Sequence, residues 1–350
     1  MGRGESVPPP SRRGARGGSV RPPLPKASTV TVVIPNWNGK HLLKGCLDSL
    51  QRQTYRNHKT IVVDNGSTDG SVEYLAERYP DVEVACFAEN RGFSVAVNEG
   101  VTRATGDYIA LLNNDTEVDP RWLEELVGAL ERHPEVGFCA SKMLNFYRRD
   151  ILDTVGDGFS RYGLAFKRGS RKTDGLEYSR EEYVFGACGG AAIYRRRLFE
   201  EVGLFDEDFF AYLEDVDLSF RAQLKGFRCL YVPTAIVYHM VGGTSGGKGF
   251  SLGRMAGKVA NKLFVVIKDM PSRALLANLP HILSAFTVEG VILLAALPLY
   301  PDIVKREVFR LRLIPKMLRK RRQIQRMGSV AASRYVTRLF DKGYPLNPFR

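Results

Sequence analysis

Three groups of residues have the types and spacing to do chemistry. The stretch "LLNNDTEVDP" (111–120) runs two leucines of a strand end straight into Asn113, Asn114 and Asp115. An amide oxygen and a carboxylate two residues apart on a loop can hold a hard divalent cation and leave positions open for phosphate oxygens. An Asx turn leading into the next helix accounts for the same letters. In "YLEDVDLSF" (212–220), Glu214, Asp215 and Asp217 fall in one helical turn. Acids there are stabilised by the helix dipole, and one of them can equally serve as a general base for an attacking hydroxyl. His239 ends "RCLYVPTAIVYH". A lone histidine is most often structural, but beside a carboxylate and a phosphate it is a natural metal ligand. The loop "GGTSGGKG" (242–249) misses the phosphate-loop pattern because Gly249 stands where Ser or Thr should hold Mg²⁺. It reads better as a flexible lid.

The elements that must position these residues follow from periodicity. "TVTVVIP" (29–35), "KTIVVD" (59–64), "VEVACFA" (82–88), "DYIALL" (107–112) and "EVGFCASKM" (135–143) are continuously apolar runs. Helical stripes separate them: Leu42, Leu43, Cys46, Leu47 and Leu50; then Val72, Leu75, Ala76 and Tyr79; then "GFSVAVNEGVTRA" (92–104); then Trp122, Leu123, Leu126, Val127 and Leu130. Continuously apolar strands alternating with helices predict a mostly parallel, Rossmann-like α/β sheet covered on both faces. Ligands of such sheets sit outside the carboxyl ends of the strands. Those ends carry Pro35, Trp37 and Asn38, then Asp64 and Asn65, then Asn90 and Arg91, then Asn113 and Asp115. Turn chemistry explains any one of these sets; four in succession point to a site. Residues 144–184 read as an irregular strand-and-loop insertion. "YVFGACGGAAIYRRRLFEEVG" (183–203) reads as a glycine-rich approach and a helix. Leu213, Val216, Phe220 and Leu224 stripe a further amphipathic helix.

The chain has 350 residues, 44% of them hydrophobic, and a net charge of +13. That composition is ample for one large α/β domain with appendages, and the charge favours an anionic partner. Residues 1–28 carry six Arg or Lys against one Glu among Pro and Gly, and read as a disordered basic tail rather than a signal peptide. Residues 305–326 carry ten Arg or Lys against one Glu. With the basic residues gathered in two end segments and not on an aromatic-studded face, nucleic acid is not the expected partner. Five cysteines without a C-x-x-C pair argue against a disulfide framework or a zinc site.

In order along the chain, "VVIPNWNG", "VVDNGSTDGS", "ENRGFSVAVNEG", "LLNNDTEV", "FGACGGAAIYRR", "FDEDFFAYLEDVDLSFR" and "YHMVGGTSG" resemble glycosyltransferase family 2, inverting enzymes with a GT-A fold. The likeness runs from about Val30 to Gly247, and "NND", "EDVD" and the late His look most like bacterial rhamnosyltransferases that use dTDP-L-rhamnose in envelope polysaccharide synthesis. The resemblance implies a role for each residue. Asp115 and His239 would bind Mg²⁺ or Mn²⁺, with Asn113, an amide in place of the usual first carboxylate, as a weaker partner. Asp64 would hydrogen-bond a pyrimidine ring, Pro35 and Asn38 would flank it, and Asn90 would lie near the nucleotide. Asp215 would be the catalytic base and Glu214 would contact the acceptor. Galactofuranosyl, glucosyl and N-acetylhexosaminyl donors remain open. A non-enzymatic anionic-polymer binder and an inactive family member are the competing classes, and intact Asp115, Asp215 and His239 argue against the second.

The expected organisation is a tail (1–28), a GT-A domain (29–250) and a basic helical region (251–350). Within the last, "ALLANLPHILSAFTVEGVILLAALPLY" (274–300) is strongly apolar, but Glu289, Pro280 and Pro298 are expected to interrupt it. With the amphipathic basic stretch that follows, it suggests a peripheral contact with the inner face of the plasma membrane, where a lipid-linked saccharide acceptor would be met.

Overall fold

The computed structural model describes residues 28–240 and 252–341. The basic tail and the glycine-rich loop fall almost wholly outside these described residues. Along the chain run β1 (Val30–Asn36), α1 (Lys40–Gln51), β2 (His58–Asp64), α2 (Ser71–Arg78), β3 (Glu83–Cys86), α3 (Phe93–Arg103), β4 (Tyr108–Leu112), β5 (Thr116–Val118), α4 (Trp122–Arg132) and β6 (Val136–Asn145). After them come β7 (Leu152–Thr154), β8 (Asp157–Ser160), β9 (Ala165–Lys167), β10 (Glu182–Val184), β11 (Ala191–Arg195), α5 (Arg196–Val202), α6 (Glu214–Lys225) and β12 (Arg228–His239).

The main sheet has the order β10-β12-β6-β11-β4-β1-β2-β3. Strands β1 to β4 are mutually parallel and β6 is parallel to β12. Strand β11 lies antiparallel between β4 and β6. The glycine-rich approach expected before a helix is therefore a central strand. Its apolar run "AAIY" is too short for periodicity to separate strand from helix.

Alternate strand residues supply two cores. Val32, Ile34, Val62, Ala110 and Leu112 pack with Leu43, Leu47, Trp122 and Leu126 of α1 and α4. Val33, Ile61, Val63, Ile109 and Leu111 pack with Ala96 and Val97 of α3 and Leu218 of α6. A sheet apolar on both faces is thus covered on both faces, as the unbroken apolar strands predict.

The C-terminal chain is helical: α7 (Leu252–Ala256), α8 (Val259–Lys268), α9 (Ser272–Ala277), α10 (Leu279–Ala296), α11 (Pro301–Arg310), α12 (Ile314–Met327) and α13 (Val330–Arg338), closed by the short β13 (Phe340–Asp341) on β8. These helices are not a detached appendage. Phe264, Met317, Ile324, Val336 and Phe340 share a third core with Val216, Phe220 and Leu224 of α6. The stripe read from the sequence on α6 therefore faces the C-terminal helices, while Leu218 and Ala222 face the sheet. Leu213 does not join the helix; it stands before it with φ 68°.

The apolar segment breaks at Asn278, between α9 and α10, and α10 ends before Pro298, so both prolines fall at helix boundaries and only Glu289 fails to interrupt it. Pro280 sits in the first turn of α10, where no intrahelical donor is lost, and Pro298 lies beyond its end. Glu289 stays inside the helix because it is buried and bound to Lys262 (2.5 Å).

Candidate active site

Strand ends of the parallel half supply one side of the candidate site. β1 and β2 are in register at Asn36 and Asp64. Asp64 is 1% exposed; Asn36 Nδ2 donates to its Oδ2 (2.9 Å) and the Ser67 N–H to its Oδ1 (2.9 Å). Each oxygen keeps a second lone pair for a ligand. Pro35, one residue before the end of the same strand, lies opposite Val63. Asn38 takes a positive φ of 48°; its N–H donates to Ser67 Oγ and its Oδ1 accepts from the Thr68 N–H (2.8 Å), closing one loop on the other. Asn90 Oδ1 accepts from the Gly92 N–H (2.9 Å) and from Asn65 Nδ2 (3.1 Å).

At the end of β4 the chain turns. Thr116 Oγ1 donates to Asn113 O (2.6 Å), and the chain enters β5, not the next helix. β5 pairs with the end of β12, His239 opposite Thr116. That register brings His239 Nε2 to 3.4 Å from Asp115 Oδ1. On its other side, His239 Nδ1 is 2.9 Å from Oδ2 of Asp153, a residue of β7 whose carboxylate also pairs with Lys167 Nζ (2.8 Å). Burial opposes the imidazolium, but hydrogen bonds and charges from Asp115 and Asp153 outweigh it and push His239 up to about 9. Asp153 and Lys167 give the sequence no signal, because they lie in short strands of the irregular insertion.

A cation fits here on three counts. Two carboxylates already hold a positive charge between them. A carboxylate facing Nδ1 is the partner that leaves Nε2 of a histidine for a metal. Asn113 Oδ1, buried, accepts no hydrogen bond from the described residues. Among those residues no group of three or more His, Cys, Asp or Glu side chains is placed to hold a metal ion by itself, so a divalent ion here would need phosphate oxygens to complete its sphere.

The other side of the candidate site is the start of α6. Asp215 is fixed by two backbone donors, the Gly189 N–H to Oδ2 (2.9 Å) and the Val216 N–H to Oδ1 (2.8 Å). Burial raises its carboxyl above the usual range, those bonds notwithstanding. Glu214 is buried, and desolvation followed by the charge of Asp215 raises it well above the usual range. Asp217, the third acid of the cluster, points away into ion pairs with Arg221 and Lys268.

The turn before β11 joins the two sides. The Asn113 N–H donates to Gly190 O (2.9 Å), and the adjacent Gly189 N–H holds Asp215. A Cβ at Gly190 would stand 3.1 Å from Asn113 Nδ2. A strand read as a helix approach is thus what brings the NND turn and the EDVD helix together. Asn36 was also missed; it bridges Asp64 and Asn114, whose Nδ2 donates to Asn36 Oδ1 (2.7 Å).

Residues 31–203 match the model of the family described as glycosyl transferase family 2. An N-acetylglucosaminyl-diphospho-decaprenol L-rhamnosyltransferase of Mycobacterium tuberculosis is 30% identical over 228 residues, covering 57% of this chain and 72% of that one. The O-antigen biosynthesis protein RfbC of Myxococcus xanthus is 31% identical over 234 residues, 63% of this chain but 18% of that much longer protein. In structure, the mannosyltransferase PcManGT of Pyrobaculum calidifontis, solved with GDP-Man and Mn²⁺, aligns over 89% of this chain and 87% of its own with a TM-score of 0.53 at 20% identity. The sheet is that of the GT-A fold. With a relative of this identity matched over most of its length, the chain belongs to glycosyltransferase family 2.

Proposed function

We propose that this glycosyltransferase moves L-rhamnose from dTDP-L-rhamnose to a lipid-linked saccharide with inversion of configuration. The observation that carries the reading is a single backbone-fixed carboxylate, Asp215, facing the Asn113–Asp115–His239 corner across the Gly189–Gly190 turn. One backbone-held base is all that a single displacement needs. Asp215 takes the proton from the acceptor hydroxyl as that oxygen attacks the anomeric carbon from the face opposite the diphosphate. Glu214, its carboxyl raised by burial and by the charge of Asp215, contacts the acceptor. Asp64 accepts from the pyrimidine ring, Pro35 and Asn38 flank it, and Asn90 lines the nucleotide. Asp115 and His239 would hold Mg²⁺ or Mn²⁺, with Asn113 Oδ1 beside them; the bound ion would neutralise the leaving diphosphate. The names of the Mycobacterium tuberculosis and Myxococcus xanthus relatives support the sugar and the envelope setting. Incubating the chain with a panel of nucleotide sugars and lipid-diphosphate N-acetylglucosamine, read by mass spectrometry, tests it. A deoxyhexose mass increment from dTDP-L-rhamnose is expected; transfer only from another donor would replace rhamnose.

The same reading puts the chain in the cytoplasm, on the inner face of the plasma membrane, with residues 29–250 as the catalytic unit and 251–350 as its support. α10 is long and apolar enough, by length and composition, to cross a membrane. Its 18 residues span about 27 Å, against a hydrocarbon core of about 30 Å. The buried Glu289–Lys262 pair ties α10 to α8, which supports a helix lying on the bilayer. Leu283 (59%) and Leu294 (71%) stand exposed on it. Lys305, Arg306, Arg312 and Arg319 of the following helices are exposed for anionic headgroups.

A further inference from the structure

Between the 3₁₀ turn Glu207–Phe209 and α6, the chain adopts a conformation that side chains resist. Phe210, Tyr212 and Leu213 have φ of 61°, 73° and 68°. They are three of the five non-glycine residues with positive φ among the described residues, and all lie within five positions of Asp215. Such backbone persists only where its surroundings over-determine it. Here the main support is one buried side chain. Asn261 of α8 turns its Nδ2 to three carbonyls, Phe209 O (3.1 Å), Ala211 O (2.9 Å) and Tyr212 O (2.8 Å). Its Oδ1 accepts from Arg310 of α11 (2.5 Å), which also donates to Asp208 O (2.8 Å).

The strain has a visible product. Phe209 goes fully into the core, while the rings of Phe210 and Tyr212 are turned out, 53% and 45% exposed. Neither residue is buried as Phe209 is; about half of each stays open to solvent. Phe210 abuts Gly92, where a Cβ would come within 2.6 Å of its ring, and its O accepts from the Ser94 N–H. It therefore stands between the Asn90–Gly92 loop on the nucleotide side and the Asp215 helix on the other. Lys258 Nζ lies 4.0 Å from the Tyr212 ring centroid.

We propose that Phe210 and Tyr212 form the acceptor subsite, two aromatic faces for the apolar face of a pyranose ring, held in place by Asn261 and Arg310 as positioning residues. An open aromatic face beside a base is suited to a sugar, which offers C–H groups on one face and hydroxyls at its rim. The inference rests on the transferase reading above. It gives the C-terminal helices a part in acceptor binding through Asn261, and asks nothing of the donor side.

The test titrates N-acetylglucosaminyl diphosphate with a synthetic undecyl tail into the full chain saturated with dTDP, followed by calorimetry. Phe210→Ala and Tyr212→Ala should each weaken binding of this probe about tenfold, the scale of one lost aromatic contact. Phe210→Trp and Tyr212→Phe should restore it, and dTDP affinity should stay within about twofold throughout. Asn261→Leu, which fills the same space without the amide, should raise the acceptor KM and lower kcat together. Probe affinity indifferent to the alanine substitutions, or absent from the wild-type chain, overturns the subsite. Failure of the wild-type chain to transfer sugar to any acceptor would instead count against the transferase reading, because probe binding is measured without turnover.

Discussion

At the scale of single residues, the site turns on how Asp215 is held. Asp215→Asn keeps the shape and one of the two backbone contacts, since the amide NH2 cannot accept from an N–H, and removes the proposed proton acceptor, so turnover should fall about 10²–10⁴-fold with dTDP binding preserved. A variant keeping more than about a tenth of the wild-type kcat would exclude Asp215 as the base. Its raised carboxyl sets the sign of the pH profile. The base works only when ionised, so kcat should rise with pH through a value above the ordinary 3.8 and lie flat beyond it. An acidic limb at or below 3.8 would contradict the burial seen here. Around Asp115 and His239, EDTA should abolish transfer, and alanine at either position should raise the Mg²⁺ or Mn²⁺ concentration needed for half activity. Undiminished activity in chelator would remove the cation from the reading. Most of these residues are legible in the sequence because Asn, Asp and His at strand ends violate the apolar pattern around them. Asp153, Lys167 and Asn36 are not, since a carboxylate or amide that matters only through a partner far along the chain leaves no local pattern.

At the scale of elements, the first half of the sheet follows directly from unbroken apolar strands, and the second half does not. β11 was hidden by the glycines before it and by the arginines at and after its end; β5 and β7 have only three residues each. The outer face of α6 is a different case. Its stripe is plain in the sequence, but its partner lies about a hundred residues later, in helices that the sequence reading set apart. A buried ionic cluster fastens that contact. Lys268 of α8 pairs with Asp217 of α6 and with Asp206 (2.5 Å), and is 1% exposed. Burial opposes the charge on these acids, but the lysine and Arg221 hold Asp217 below the usual range. Lys268→Ala leaves those carboxylates short of a counter-charge in the interior, and should cost about 3–5 kcal/mol in urea unfolding. A loss under about 1 kcal/mol, the range of an exposed pair, would show the cluster to be solvated.

At the scale of the molecule, charge and apolarity part company. The excess of basic residues is legible as a number, but the structure divides its uses. Arg310, Lys320 and Arg321 bind carbonyls and carboxylates within the protein, while Arg306, Arg312 and Arg319 remain at the surface. With the exposed flank of α10, they predict flotation with vesicles containing phosphatidylglycerol at low salt and release at high salt. Leu283→Glu with Leu294→Glu should abolish flotation and leave transfer to a water-soluble acceptor intact. Equal flotation with neutral vesicles would argue against the headgroup contribution. Finally, the Gly189–Gly190 turn carries a consequence for how such an enzyme diversifies. Under the proposed roles, the span between the leaving group and the proton acceptor would be measured out in main chain, through Asn113 N–H, Gly190 and Gly189 N–H to Asp215. Side chains on either bank can then be exchanged without resetting that span. One ruler of peptide bonds can therefore serve many pairings of sugar and recipient.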